Sequence, residues 1–415
     1  MSNPIALTRA STKRCNGHCA RCPHSVACPS RLAANESPVL LSGEQPDGSS
    51  RNQDGVGFAI DVGSTTLAVG LYDLRTGMLL SRRGCANPQS DVSTDVIGRI
   101  AAAESPGGLE RLQHLVLDAL GSLVSNACAV AGISPSMLLD GVVTGNTVML
   151  HLFAGRPPSA LGRVPFRAEW LAGCAESFLG HRVWLPPCIG AFVGADLVCA
   201  LIAAGLDRDG PTALLCDIGT NAEVAVRTNG TVFATSAAAG PAFEGTGVRG
   251  SELLDAIAGF LASGTIEESG ASVSGSLVLK DGRTLADTDV RAVQMAKAAV
   301  AAGISVMLDE AGSCVDDLSE IFLAGGFGCG LNPDSAVAIG MLPSAPKARK
   351  TPIGNAALAG AATLLLHPQR RESALQLAHD AHLVELGGNT DFSDRFIDSM
   401  AFAPYLSRCS SSAPE

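Results

Sequence analysis

The sequence predicts a mixed α/β fold in which one architectural unit is used twice, and three observations carry that reading. An apolar run, Val56–Asp61, ends in an acidic turn, Val62-Gly63-Ser64-Thr65-Thr66, and continues as a second apolar run, Leu67–Tyr72. The same pattern returns as Thr212–Asp217, Ile218-Gly219-Thr220-Asn221 and Val224–Arg227. Each copy reads as a β-hairpin closed by a tight glycine turn. The third observation is what lies around them. Leu112, Leu115, Leu117, Leu120 and Leu123 fall near helix spacing within Leu109–Ala131. Val290, Val293, Met295, Ala299, Val300 and Ile304 do so within Asp289–Met307. A short strand, Glu320–Leu323, runs into Ala324-Gly325-Gly326-Phe327-Gly328, and a last helix is expected over Asn355–Leu366. Strands alternating with helices in two similar halves make an α/β architecture.

The composition permits large cores and excludes several function classes. Of 415 residues, 47% are hydrophobic and 17% charged, which excludes global disorder. The net charge of −11 sets the molecule's field against phosphate backbones and acidic lipid, so neither nucleic acid nor a membrane is an expected partner. Aromatics are only 4%, too few for base-stacking platforms. No continuous apolar run reaches the roughly 18 residues of a membrane span, and Met1–Ala10 lacks a signal-peptide core. A cytoplasmic location is therefore expected.

Four regions follow. Residues 1–30 are Cys-rich and basic, residues 31–54 read as a flexible linker, and two lobes are expected over 55–208 and 209–407. Of 13 cysteines, Cys15, Cys19, Cys22 and Cys28 crowd into the first region, and the other nine are scattered as small buried hydrophobes are. A reducing compartment argues against a disulfide framework.

The two acidic turns have the chemistry of a phosphate site. A strand ending in Asp delivers a carboxylate to a fixed edge, where it holds Mg²⁺ directly or through water. Gly63 permits a tight turn, and the amides of Gly63, Ser64, Thr65 and Thr66 form a nest for an anion. Asp217, Gly219, Thr220 and Asn221 would do the same from the opposite lobe, clamping a triphosphate between them. The turn with Gly325, Gly326 and Gly328 leaves room for a flat base. Asp61 is the candidate for the magnesium shell, Asp217 for the metal or the attacking water. Asp196 in Gly194-Ala195-Asp196 is either a third acidic group at the cleft or a helix cap. Glu244 and Lys297 are candidates for ribose or base, with a solvated pair as the alternative, and Gly240 stands in the same stretch as Glu244. His151 is either a buried core or interface histidine or a partner contact, and Cys329 borders the expected adenine pocket. No G-x-x-x-x-G-K-[ST] is present, so a P-loop is not the reading.

In this order the three turns resemble the phosphate 1, phosphate 2 and adenosine signature of the acetate/sugar kinase, heat-shock chaperone and actin superfamily, across residues 56–366. That resemblance implies a two-lobed actin-like ATPase core of RNase H-like repeats. Longer stretches narrow it: Gly57–Leu74, Asn87-Pro88-Gln89 with Asp95–Ile100, Gly145–His151, Phe192–Asp196, Ala238–Gly245, Gln294–Ala298 and Ala324–Pro343. Together they are similar to the reductive activators of corrinoid proteins. The resemblance implies ATP-dependent reduction of a Co(II) corrinoid on a methyl-transfer protein to Co(I). It also implies an upstream electron donor, Mg²⁺ with the ATP, and a homodimer. The sequence departs from the pattern at Ser93, Ala222 and Cys329-Gly330, and its front end is not the ferredoxin domain of about ninety residues that familiar members carry.

In that place Cys15-x₃-Cys19-x₂-Cys22-x₅-Cys28 supplies four thiolates on a short loop. Four thiolates suit a [4Fe–4S] cluster or a tetrahedral Zn²⁺, the latter with His18 or His24 as an alternative ligand. The electron transfer implied by the core favours the cluster, and an unmetallated tail is the third reading. The first three cysteines are also similar to a radical SAM motif, without the barrel that would follow. Other activities of the superfamily stay open: an activator of a radical dehydratase, a small-molecule kinase, and a chaperone-like or filament-forming ATPase.

Overall fold

The computed structural model describes residues 54–219, 221–240, 250–273, 275–279, 281–325 and 331–405. They form two six-stranded sheets with helices around and between them. The first sheet contains β1 (Val56–Val62), β2 (Thr66–Asp73), β3 (Leu79–Ala86), β4 (Leu138–Gly145), β5 (Ala172–Phe178) and β6 (His181–Pro187), in the order β3-β2-β1-β4-β6-β5. The second contains β7 (Ala213–Ile218), β8 (Ala222–Thr228) and β9 (Thr231–Ala237). After a two-stranded ribbon, β10 (Leu277–Val278) with β11 (Thr284–Leu285), it is completed by β12 (Glu320–Ala324), β13 (Arg349–Gly354) and β14 (His382–Leu383). Its order is β13-β12-β7-β8-β9-β14. In both sheets an antiparallel three-strand meander is extended by parallel strands on the side of its first strand. The repeated unit expected from the two hairpins is therefore present, and the fold is the mixed α/β, actin-like one.

The helices are α1 (Val96–Ala103), α2 (Gly108–Ala131), α3 (Thr147–Phe153), α4 (Ala195–Ala203), α5 (Gly250–Ala262), α6 (Asp287–Glu310), α7 (Pro333–Ala338), α8 (Ala356–Leu366), α9 (Arg370–Asp380) and α10 (Thr390–Asp398). The expected helices at 109–131, 289–307 and 355–366 match α2, α6 and α8 to within three residues at each end. By length and mean hydropathy α2 and α6 would each cross a membrane, although neither is a continuous apolar run. Both instead lay an apolar face on a sheet: Leu112, Val116, Leu120 and Val124 of α2 pack in the first lobe, Val293, Val300, Ile304 and Met307 of α6 in the second.

Side-chain alternation along two strands decides where the site sits. On β1, Val56, Phe58, Ile60 and Val62 point into the core under α2. The opposite face carries Gly57, Ala59 and Asp61, small enough for α8 to lie close; a Cβ on Gly57 would stand 3.0 Å from Leu365. On β7, Leu214, Cys216 and Ile218 enter the core under α6, and Ala213 and Leu215 face the other way, as does Asp217 by alternation. Ala59, Ala213 and Leu215 belong to one core cluster with α4 and α8, the layer shared by the two lobes. Both aspartates thus end strands whose faces line that layer.

Helices α4 and α8 make the layer itself. Cys199, Leu201 and Ile202 of α4 meet Leu358, Ala362 and Leu365 of α8, all buried. Gly360 has no room for a Cβ, because the Cys199 backbone carbonyl already occupies that space. Each buried leucine or isoleucine contributes about 1.5–3 kcal/mol. Close helix contact through small residues lets two backbones cross without large interlocked side chains.

Candidate functional site

Local folding explains the loop expected to take the first phosphates. β1 ends at Val62 and β2 starts at Thr66, with Val62 registered on Leu67. The carbonyls of the intervening residues are all engaged. Asn87 Nδ2 donates to Gly63 O at 2.9 Å, Arg99 Nη2 to Ser64 O at 2.6 Å, and the Asn87 amide to Thr65 O at 2.8 Å. A carbonyl turned toward phosphate would repel it. Pinning three of them to Asn87 and Arg99 is what an amide nest needs. Gly63 is required, since a Cβ there would stand 2.5 Å from Thr66 O.

Arg99 is fully buried on α1, whose first turn is capped by Asp95 accepting from the Gly98 amide at 2.8 Å. Besides Ser64 it donates to Ser93 O at 3.0 Å, to Gln89 Oε1 at 3.3 Å and to Met149 Sδ at 3.1 Å. Burial pulls its pKa down to about 10, which leaves it cationic at neutral pH beneath the loop. Ser93, one of the departures from the family pattern, is part of this scaffold.

The second loop is built by parallel pairing. β12 lies beside β7 with Ala324 registered on Asp217, so Gly325 arrives at the carboxylate. Gly325 has φ +88°, and a Cβ on it would lie 2.5 Å from Asp217 Oδ1 and 2.7 Å from Ile218 O. Only glycine meets both conditions. The Gly219 amide donates to Asn221 O at 2.9 Å, closing the turn. Ala222, the second departure, is buried at the start of β8 and pairs with Ile218.

Four carboxylates gather here. Asp61 Oδ2 accepts from Asn355 Nδ2 at 2.7 Å, while Asn355 Oδ1 caps α8 by accepting from the Leu358 amide at 2.7 Å. Asp196 stands in the first turn of α4 and accepts from the Leu197 amide at 2.9 Å; the capping position is Gly194. Burial pushes Asp217 up to about 8, with the charges of Asp196 and Asp61 adding to it. Burial also raises Asp196 to about 6. Glu223 is raised well above the ordinary carboxyl range by burial and by Asp196 and Asp217, against a lowering bond from Ser236. At neutral pH, Asp217 thus largely holds a proton that a cation would displace.

The other expected residues are placed as follows. Lys297 is buried on α6, its Nζ donating to Ala401 O at 2.6 Å, and burial lowers its pKa to about 8. Gly240 has φ +77° and open space beside it. His151 is a buried helix residue, Nδ1 at 2.8 Å from Thr147 O and edge-on to Trp170 at 5.0 Å. Thr220, Glu244, Gly326, Gly328, Cys329 and the cluster Cys15, Cys19, Cys22 and Cys28 lie outside the described residues.

The donor set fits magnesium. Among the described residues no three acidic, histidine or cysteine side chains close into a ready ligand cage. Mg²⁺ does not require one, since one or two carboxylates, several waters and substrate phosphates complete its octahedron. Asp61 and Asp217 offer hard oxygens of that kind.

Family models for the RACo middle region and for the C-terminal ASKHA domain of RACo match residues 56–209 and residues 211–249 with 246–409. The chain belongs to the family of reductive activators of corrinoid proteins. Corrinoid activation enzyme RamQ of Eubacterium limosum is 30% identical over 413 residues, covering 79% of this chain and 69% of that one. The Co(II) methylated amine-specific corrinoid protein reductase of Methanosarcina barkeri is 23% identical over 269 residues, 51% of this chain and 48% of that protein, so the chain spans about half of that relative. A solved reductive activator for corrinoid, iron-sulfur protein superposes with a TM-score of 0.77 at 28% identity, over 85% of this chain and 67% of that one.

Within this family member the site has members that motif reading passed over. Arg99 and Asn87 sit in stretches noted only for resemblance, because nothing in their spacing says that their side chains fold under the loop. Asn355 entered only as the first residue of the last expected helix; it caps that helix, and its second bond crosses to the other lobe. Glu223 begins an apolar strand and carries a signal only once β7 and β8 are registered.

Proposed function

We propose that this protein hydrolyses ATP between its lobes to drive one-electron reduction of a Co(II) corrinoid, carried on a methyl-transfer protein, to Co(I). The observation that carries the reading is the opposition of two carboxylate-ended loops, from Asp61 and Asp217, in a chain similar over both lobes to corrinoid activators. The amides of Gly63, Ser64, Thr65 and Thr66 bind one set of phosphate oxygens. Gly219, Thr220 and Asn221 bind another from the facing lobe, and the turn at Gly325 seats the base. Asp61 and Asp217 hold the magnesium that accompanies the triphosphate. Asp217 or Asp196 orients the water that attacks the γ-phosphorus; the bond to the β–γ bridging oxygen breaks, giving ADP and phosphate. Closure and reopening occur about the contact of α4 with α8.

Cys15, Cys19, Cys22 and Cys28 would hold a [4Fe–4S] cluster, which supplies one-electron chemistry when bound, with zinc as the alternative occupant. An external donor delivers the electron, and the reading puts the chain in the cytoplasm, where thiolates stay reduced. Reducing Co(II) is uphill for common donors, and a gap of about 100 mV costs about 2.3 kcal/mol per electron. Nucleotide turnover covers that cost through differential binding of the two lobe arrangements.

The test is anaerobic. Full-length protein is assayed for iron, sulfide and zinc, then mixed with a Co(II) corrinoid protein, dithionite or another low-potential donor, and ATP. The expected result is iron and sulfide in the protein and Co(I) absorbance that requires ATP. Co(I) forming equally without ATP, or ATP consumption that only phosphorylates an added small molecule, would overturn the reading.

A further inference from the structure

Glu223 is not explained by the two loops. It pairs in register with Asp217 on β7 and with Ser236 on β9, so the three side chains stand in one row across the sheet. The Ser236 hydroxyl donates to Glu223 Oε1 at 3.1 Å. From the first lobe, the charge of Asp196 reaches Glu223 across the cleft. Among the described residues, none of the side-chain charges acting on Glu223, Asp196 or Asp217 is a cation. A carboxyl group anchored by a serine and set among other carboxylates contributes nothing favourable to folding by its charge. It suits a cation that arrives with its own water shell.

We propose that Glu223 is a positioning residue of the cleft. Ser236 fixes one of its oxygens, and it orders the water shell of the magnesium that Asp61 and Asp217 hold, so that it sets how tightly metal is taken up once nucleotide is bound. The inference rests on the ATPase reading above and extends it from the two loops to the row Asp217–Glu223–Ser236.

The experiment is a titration of full-length protein with a fluorescent ADP analogue over a range of magnesium concentrations, for wild type, Glu223→Gln and Ser236→Ala. Outer-shell changes of this kind weaken metal affinity about 10–100-fold. Glu223→Gln should therefore raise the half-saturating magnesium concentration about tenfold, and Ser236→Ala about threefold in the same direction. Affinity for the analogue without metal should stay within about twofold, and the Tm of Glu223→Gln should not fall, since an amide still accepts from Ser236. An unchanged magnesium midpoint in folded Glu223→Gln overturns the inference. Should that variant fail to fold, an unchanged midpoint in Ser236→Ala overturns it instead. No analogue binding by wild type at any magnesium concentration would bring down the ATPase reading itself, a result distinct from either.

Discussion

Replacing Arg99 with glutamine is expected to weaken ATP binding about a hundredfold, or about 3 kcal/mol. The side chain is fully buried and donates to Ser64 O, Ser93 O, Gln89 Oε1 and Met149 Sδ. Glutamine is too short and too poor in donors to satisfy them together. Each backbone acceptor left unpaired costs about 1–3 kcal/mol, so stability falls together with affinity. The loss at the nucleotide has two sources. The Ser64 carbonyl is released to turn toward the phosphates, and the positive charge beneath the loop is removed. Arg99→Lys separates them, because it keeps the charge and gives up the forked geometry. It should recover part of the affinity and little of the stability. Affinity is read with a fluorescent nucleotide and stability from Tm; Arg99→Gln binding within threefold of wild type would refute this role.

Asp217→Asn should lower the ATP hydrolysis rate about a thousandfold, within the range found for a group that orients or deprotonates the nucleophile. It should leave stability almost unchanged at the acid end, where the wild-type side chain is neutral in both folded and unfolded chains, and raise it above wild type at neutral pH. With its pKa raised to about 8, mainly by burial, Asp217 is largely protonated there, and asparagine has the shape and neutrality of that form. The difference appears in pH dependence. A raised acid holds its proton in the folded state while the unfolded chain releases it above the ordinary value of 3.8. Stability of the nucleotide-free protein should accordingly be greatest near the low end of that window and fall as pH rises toward about 8. Asp217→Asn should flatten the fall in part, leaving the contributions of Asp196 and Glu223. Tm measured from pH 5 to pH 8, with hydrolysis rates alongside, tests both parts. A variant that keeps the wild-type slope, or hydrolyses ATP within tenfold of wild type, would contradict the role given to Asp217.

Much of this was legible in the residues. The doubled fold showed in Asp61 and Asp217, each ending an apolar run and each followed by a glycine turn, since strands and tight turns are local matters. Gly325 was legible for the same reason, although its real constraint, contact with Asp217 across paired strands, is not local. The four carboxylates were only partly visible. Glu223 and Asn355 enter the site through strand register and a lobe-to-lobe bond 294 residues apart in sequence, and no periodicity encodes either. Arg99 stood only within a stretch noted for resemblance, and it is the buried strut of the loop after Asp61. The membrane-length helices taught the converse: mean hydropathy alone cannot separate a span from α6, whose apolar side chains are covered by β8 and β9.

The most direct test is calorimetric titration of full-length protein with a non-hydrolysable ATP analogue, with and without excess magnesium. One site per chain is expected, at a dissociation constant on the order of micromolar to sub-millimolar, as is usual for enzyme substrates, and at least tenfold weaker once the metal is chelated. Proton release should accompany the metal-dependent binding as the cleft carboxyls ionise. Absence of binding heat at any buffer and metal concentration would contradict the two-loop nucleotide clamp on which the functional reading stands.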